Sequence, residues 1–133
     1  MRTGRCLCGA VAYELTAEPQ MVALCHCKDC QHISGGEPMA VALVPPGGFR
    51  LTQGTLKAFR TRAASGNVAD RHFCADCGSQ LASRLDGGPF VAVMVGNLDE
   101  PLDMSPQVEV WTSTAQAWAH HPEGTTRFEQ NAG

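Results

Sequence analysis

No stretch of this chain approaches the roughly 20 consecutive apolar residues that a membrane-spanning helix needs. The longest apolar runs are Met39–Val44 and Phe90–Val95. The first residues, Met1-Arg2-Thr3-Gly4-Arg5-Cys6, lack the apolar segment of a secretory signal. A cytoplasmic location with no membrane partner is therefore expected. Aromatic side chains are scarce, at 6% of residues, so the core has to come mainly from Val, Leu, Ala and Met. Small side chains bury limited area in a domain of this size, which leaves room for an additional staple. Lys and Arg together number 10 against 13 Asp and Glu, for a formal net charge of -3. They form no run, and no aromatic stripe lies between them, which argues against a nucleic-acid partner. Repeats, low-complexity tracts and linkers are also missing, and 133 residues suit a single domain over 1–133.

What the chain does have is a globular balance of 44% hydrophobic and 17% charged residues, arranged in short strand-like segments. Val11, Tyr13 and Leu15 alternate with Ala12, Glu14 and Thr16, the period of a half-buried strand. Met21–Leu24 is a short apolar run. Met39–Val44 reads as a buried strand ended by Pro45-Pro46-Gly47-Gly48. Phe49–Thr52 and Leu56–Thr61 read as strands about a turn at Gly54, and Val68–Phe73 follows the turn Ser65-Gly66-Asn67. Gln80–Leu85 and Phe90–Val95 are expected to pair across Asp86-Gly87-Gly88. Val108–Trp111 is a last strand, while Lys28–Ser34 and Thr114–Ala119 suit single helical turns. Many short strands between turn signals predict a mostly β fold.

Seven cysteines stand out against this background. They fall in three clusters: Cys6-Leu7-Cys8-Gly9, Cys25-His26-Cys27-Lys28-Asp29-Cys30, and Cys74-Ala75-Asp76-Cys77-Gly78. In a reducing compartment, an odd cysteine count points to metal rather than to a disulfide set. Zinc takes four ligands in a tetrahedron. A C-x-x-C turn aims two sulfurs at one ion, and the glycine after it tolerates the positive φ such turns need. In C-x-C, both side chains leave an extended backbone on the same side. Joining the first and third clusters gives four thiolates, Cys6, Cys8, Cys74 and Cys77, and a closed site. The second cluster then holds three, Cys25, Cys27 and Cys30. Three ligands with a fourth position open is the pattern of catalytic zinc. Spacing alone also permits Cys25 or Cys30 to join the other site, or His26, His32, His72, His120 or His121 to complete the second one. Two zinc ions on seven thiolates would make the chain more acidic still.

With these motifs laid out, the sequence resembles the glutathione-dependent formaldehyde-activating enzyme family, which also includes the centromere protein V domain. The resemblance rests on the three cysteine clusters, on Ser34-Gly35, on Arg71-His72-Phe73 before Cys74 and Ser79-Gln80-Leu81 after Gly78, and on Gly96-Asn97-Leu98-Asp99. It runs from about Gly4 to Phe128, and Trp118 and Phe128 also match. It implies a β-tent architecture of short twisted antiparallel sheets. It further implies a structural zinc on Cys6, Cys8, Cys74 and Cys77 and a catalytic zinc on Cys25, Cys27 and Cys30. The implied reaction is the condensation of glutathione with formaldehyde to S-hydroxymethylglutathione, a carbon–sulfur lyase in reverse. The sequence departs from the pattern at Glu109, where many members carry histidine.

The donor set suits such a reaction. Zinc with three thiolates is a weak Lewis acid, so a metal hydroxide is not the expected reagent. It is soft, however, and coordination deprotonates a thiol outright. A thiol held beside a small aldehyde then gains mostly from positioning. Asp29 reads as a solvated loop carboxylate, and His26 as either a packed histidine or a hydrogen-bonding partner of the site. The competing expectation is a non-catalytic binding module whose second zinc merely holds a loop.

Overall fold

The computed structural model describes residues 1–63 and 65–132. Among them the chain forms eleven strands and one α-helix, mostly β as the sequence suggests. A three-stranded antiparallel sheet has the order β1 (Arg2–Arg5), β2 (Ala12–Leu15), β5 (Phe49–Gln53). An eight-stranded sheet takes in the rest. It is built from β3 (Met21–Cys25), β4 (Met39–Val44), β6 (Lys57–Arg62), β7 (Val68–Phe73), β8 (Gln80–Leu85), β9 (Val91–Met94), β10 (Val108–Val110) and β11 (Thr126–Arg127). Its order is β11-β10-β3-β4-β9-β8-β7-β6. β10 lies parallel to both β3 and β11, and the other neighbours are antiparallel. No helix is long and apolar enough to cross a membrane.

The large sheet is buried on both faces at its centre, which is why Met39–Val44 reads as an unbroken apolar run rather than an alternating one. Side chains along a strand point to opposite faces in turn. In β9, Val91 and Val93 enter one core together with Val44 of β4, with Tyr13 and Leu15 of the small sheet, and with Cys6 and Cys74. Met39 and Val41 of β4 and Met94 of β9 enter the other core, with Cys27 and Cys30. The register fixes this division, because Val41 faces Met94 and Leu43 faces Ala92 across the β4–β9 pair. A period of two therefore carries the two groups of cysteines to opposite sides of one sheet.

Three details differ from the sequence expectation. Phe49–Gln53 and Lys57–Arg62 do not form a hairpin about Gly54. β5 pairs with β2 and β6 with β7, so the chain crosses between sheets there. Arg2–Arg5 is a strand although Arg-Thr-Gly-Arg carries no apolar alternation, because it is recruited by β2. The helical turn expected at Thr114–Ala119 is a 3-10 turn at Thr112–Thr114 followed by a bend, with the Ala119 amide donating to the Gln116 carbonyl. The helical segment expected at Lys28–Ser34 does form, as α1, with Cys27 as N-cap and Gly35 as C-cap.

Candidate metal centres

Two loops build the first group. After β1 the chain turns through Cys6-Leu7-Cys8-Gly9, with the Gly9 amide donating to the Cys6 carbonyl at 3.2 Å and the Cys6 amide to Val11 at 3.0 Å. After β7 it turns through Cys74–Gly78, where the Gly78 amide donates to the Cys74 carbonyl at 2.8 Å. Gly9 and Gly78 both sit at positive φ, +82° and +78°, a conformation that other residues adopt only with strain. The two turns are tied together by the Leu7 amide, which donates to Ser79 Oγ at 3.0 Å. Cys6, Cys8, Cys74 and Cys77 thereby bring four sulfurs within 4.8 Å of one another.

Their spacing can be compared with a metal. Zinc–sulfur bonds of about 2.3 Å in a tetrahedron put sulfurs about 3.8 Å apart. The separations here are 3.6 Å between Cys6 and Cys8 and 3.8 Å between Cys8 and Cys74. The surroundings also favour thiolates. Ser79 lowers the Cys77 thiol to about 5 through its hydroxyl and amide, with help from the Cys8 amide. Burial works against ionising Cys6, yet hydrogen bonding from the Val11 amide and the neighbouring thiols lowers it overall. The donor set and its dimensions fit a closed zinc site.

Cys25, Cys27 and Cys30 form the second group, again with all sulfurs within 4.8 Å. Cys25 ends β3, and Cys27 is the N-cap of α1, its sulfur accepting from the Cys30 amide at 3.2 Å. The loop is fixed from outside. His26 donates its amide to Val110 at 3.0 Å, and the His26 carbonyl accepts from Gln31 Nε2 at 2.8 Å and from Thr114 Oγ1 at 2.9 Å. Of the three thiols, Cys27 ionises most readily. Hydrogen bonds from the Cys25 and Cys30 thiols are the main cause, and the Cys30 amide and the field of Arg71 add to them against the cost of burial. The same coupling raises Cys25 and Cys30. Among the described residues, no histidine or carboxylate enters this group. The donors fit three positions of a soft tetrahedral ion and leave the fourth without a protein ligand.

His26 is turned away from the sulfurs. Its ring is fully buried, with Nδ1 against Glu37 and Nε2 2.9 Å from Glu109 Oε1. Each ring nitrogen faces a carboxylate, so His26 is a packed histidine that ties Glu37 to Glu109 behind the cysteine loop. His32 and His120 are exposed.

Glu109 is fully buried as well. Its carboxylate also accepts from His121 Nδ1 at 2.6 Å, Thr125 Oγ1 at 2.5 Å and Arg127 Nε at 3.0 Å. His26, Glu109 and His121 lie close enough to suggest a third metal group. Arg127 on the same carboxylate, and the use of both His26 nitrogens, make it a hydrogen-bonded charge network instead. Burial alone would raise the Glu109 carboxyl, but the bonds from Thr125, His121, His26 and Arg127 outweigh it and hold it at about 2. Its ordinary value is 4.5, so its contribution to stability is complete above about pH 4.5 and is lost as pH falls towards 2. Glu109→Gln replaces the buried carboxylate that His26, His121, Thr125 and Arg127 share with a neutral amide. The expected loss is about 3–5 kcal/mol, the scale of a broken buried pair. Urea unfolding at neutral pH checks the size. The parent and variant curves should also converge as pH falls from 4.5, since any zinc release in acid acts on both alike.

Both cysteine groups were visible as motifs, whereas three neighbouring residues were not assigned a role. Glu109 interrupts the apolar pair Val108 and Val110, a signal that it either faces solvent or is deliberately paired. Arg71 falls on the same strand face as Ala69 in β7, an inward position, and is only 6% exposed. Trp111 adopts positive φ, at 59°, just after β10.

Comparison with known proteins follows the same lines. The family model described as glutathione-dependent formaldehyde-activating enzyme matches residues 1–114. A crystal structure of a Rhodobacter sphaeroides protein superposes with a TM-score of 0.59 at 22% identity, covering 76% of this chain and 91% of that one, and it supports the fold. A search of curated proteins gives no match.

Proposed function

The chain belongs to the glutathione-dependent formaldehyde-activating enzyme family, and from that premise we propose that it condenses a small thiol with formaldehyde or a related small aldehyde. Glutathione is the thiol that the family's description supplies. The observation that carries this reading is the convergence of three cysteine sulfurs, with no fourth protein donor among the described residues, on the wall of a cavity of about 300 Å³. Zinc held by Cys25, Cys27 and Cys30 would supply the acidity that turns a thiol into its nucleophilic thiolate at neutral pH. A second zinc on Cys6, Cys8, Cys74 and Cys77 is proposed to be structural.

In the condensation, the thiol sulfur forms a bond to the aldehyde carbon, the carbonyl π bond breaks, and the proton released by the thiol ends on the new hydroxyl. The reverse cleaves a carbon–sulfur bond. The chain's own contribution is placement. The Cys30 amide on Cys27 and the Gln31 and Thr114 bonds to the His26 carbonyl fix the cysteine loop. Met39, Val41 and Ala92 line the cavity with hydrocarbon, which keeps water from competing with the thiol. Orientation of two reactants is the term that carries most of the acceleration in such a reaction.

With carbon-13 formaldehyde and glutathione, zinc-loaded protein is expected to speed the appearance of the hydroxymethyl resonance in NMR spectra beyond the rate with glutathione and free zinc. Equal rates, with glutathione and with other small thiols, would remove the enzymatic reading.

A further inference from the structure

The cavity beside the three cysteines says something about which thiol belongs there. Its walls are hydrocarbon, from Met21, Met39, Val41, Leu43, Ala92 and Val108. At about 300 Å³ it is at the small end of ligand pockets, which run to roughly 1,000 Å³. Polar groups are few, and the only charged residue among those lining it is Arg71. The Arg71 side chain is 7% exposed and makes no side-chain hydrogen bond among the described residues; Asp29 Oδ2, at 4.0 Å from Nη2, is its nearest carboxylate oxygen. Tyr13 Oη is the one sealed-off side-chain polar atom without a partner among the described residues, so the unpaired Arg71 nitrogens keep an accessible edge, with donors free for a ligand. Trp111, also on the cavity wall, is held at positive φ, with its indole Nε1 donating to Asn131 Oδ1 at 2.9 Å. Bulky residues keep such a backbone conformation only where the surroundings enforce it, and these places cluster at ligand sites.

Glutathione is a poor match for these walls. It carries two carboxylates, an ammonium and two amides, and among the described residues the cavity offers one cation and no carboxylate for the ammonium. We propose that the site selects a compact, mainly apolar thiol bearing a single carboxylate, with Arg71 gripping the carboxylate while the sulfur reaches Cys25, Cys27 and Cys30. This rests on the reading that those cysteines hold a thiol-accepting zinc. Arg71 is then a specificity-determining residue rather than only a counter-charge to the thiolates. A counter-charge would affect all thiols alike; a carboxylate anchor affects only those that carry one.

Calorimetric titration of the zinc-loaded protein separates these roles. The probes are 6-mercaptohexanoate, the neutral 6-mercaptohexan-1-ol, glutathione and sulfur-free hexanoate. The carboxylate thiol is expected to bind about tenfold or more tightly than either the alcohol or glutathione, the scale of a charge-assisted bond in a dry site. Arg71→Gln should erase the preference over the alcohol, measured as the ratio of the two affinities, and Arg71→Lys should keep part of it. Glutathione binding tightest, or equal binding of acid and alcohol by the parent protein, would overturn the proposal while leaving thiol activation intact, and so would a preference that survives in Arg71→Gln. If 6-mercaptohexanoate binds no better than hexanoate, the sulfur makes no contact of value; the thiol-accepting reading then fails, and the proposal with it. The parent comparison decides the matter even if a variant does not fold.

Discussion

Cys74→Ser is expected to abolish the cooperative unfolding transition altogether. Cys74 is 1% exposed and sits in the core shared by the two sheets, beside Cys6, Tyr13 and Leu81. The group it belongs to joins the turn after β1 to the turn after β7, two places far apart in sequence that are also tied by the hydrogen bond from Leu7 to Ser79. Structural zinc contributes roughly 10–16 kcal/mol of apparent binding free energy at neutral pH, and that energy is folding energy when the site exists only in the folded chain. A domain's whole stability is about 5–15 kcal/mol. With zinc held there as proposed, losing one of four ligands removes enough of the first quantity to exhaust the second. Calorimetry should show no transition, and the purified variant should carry less zinc than the parent or aggregate. A variant that melts cooperatively within a few degrees of the parent would show that this group is dispensable to the fold.

Cys27→Ser should have the opposite character, with a folded protein and activity at the level of the uncatalysed reaction. Its fold survives because Cys27 is the N-cap of α1, and serine is itself a preferred N-cap whose oxygen can accept from the Cys30 amide. The loop keeps its other ties through Gln31, Thr114 and Val110. The stability change is expected to stay within about 1 kcal/mol. Activity should fall by more than the roughly 10–100-fold that outer partners of a metal cost, since the variant loses what we propose is a direct ligand. Thermal melts and the formaldehyde assay together check this, and equal loss of folding in Cys27→Ser and Cys74→Ser would contradict the division of roles.

The sequence made much of this legible. Val68–Phe73, Met39–Val44 and Gln80–Leu85 are strands with the bounds their patterns indicate, because turn residues mark where they end and apolar positions mark where they face. The four-and-three grouping of cysteines follows from counting ligands, and the sulfurs converge in those same groups. Two kinds of feature stayed hidden. Strand partners depend on contacts distant in the chain, so β5 looked like the mate of β6 when it belongs to β2. Buried charge is also hard to foresee. Glu109 and Arg71 are ordinary surface residues by type, and only tertiary structure reveals that one is satisfied by four donors while the other makes no side-chain hydrogen bond. Glu109 thus holds the C-terminal segment against β10, through His121, Thr125 and Arg127.

The central claim is that a metal on Cys25, Cys27 and Cys30 keeps one position open for an external thiol. Cobalt substituted into the protein tests it most directly, because its visible absorption reports the number of sulfur ligands. Addition of 6-mercaptohexanoate or glutathione should intensify the sulfur-to-cobalt absorption as an oxygen ligand gives way to a fourth sulfur, and Cys27→Ser should not respond. A spectrum indifferent to every small thiol would mean that a protein group already fills the position, and the chain would then be better described as a zinc-stabilised binding module.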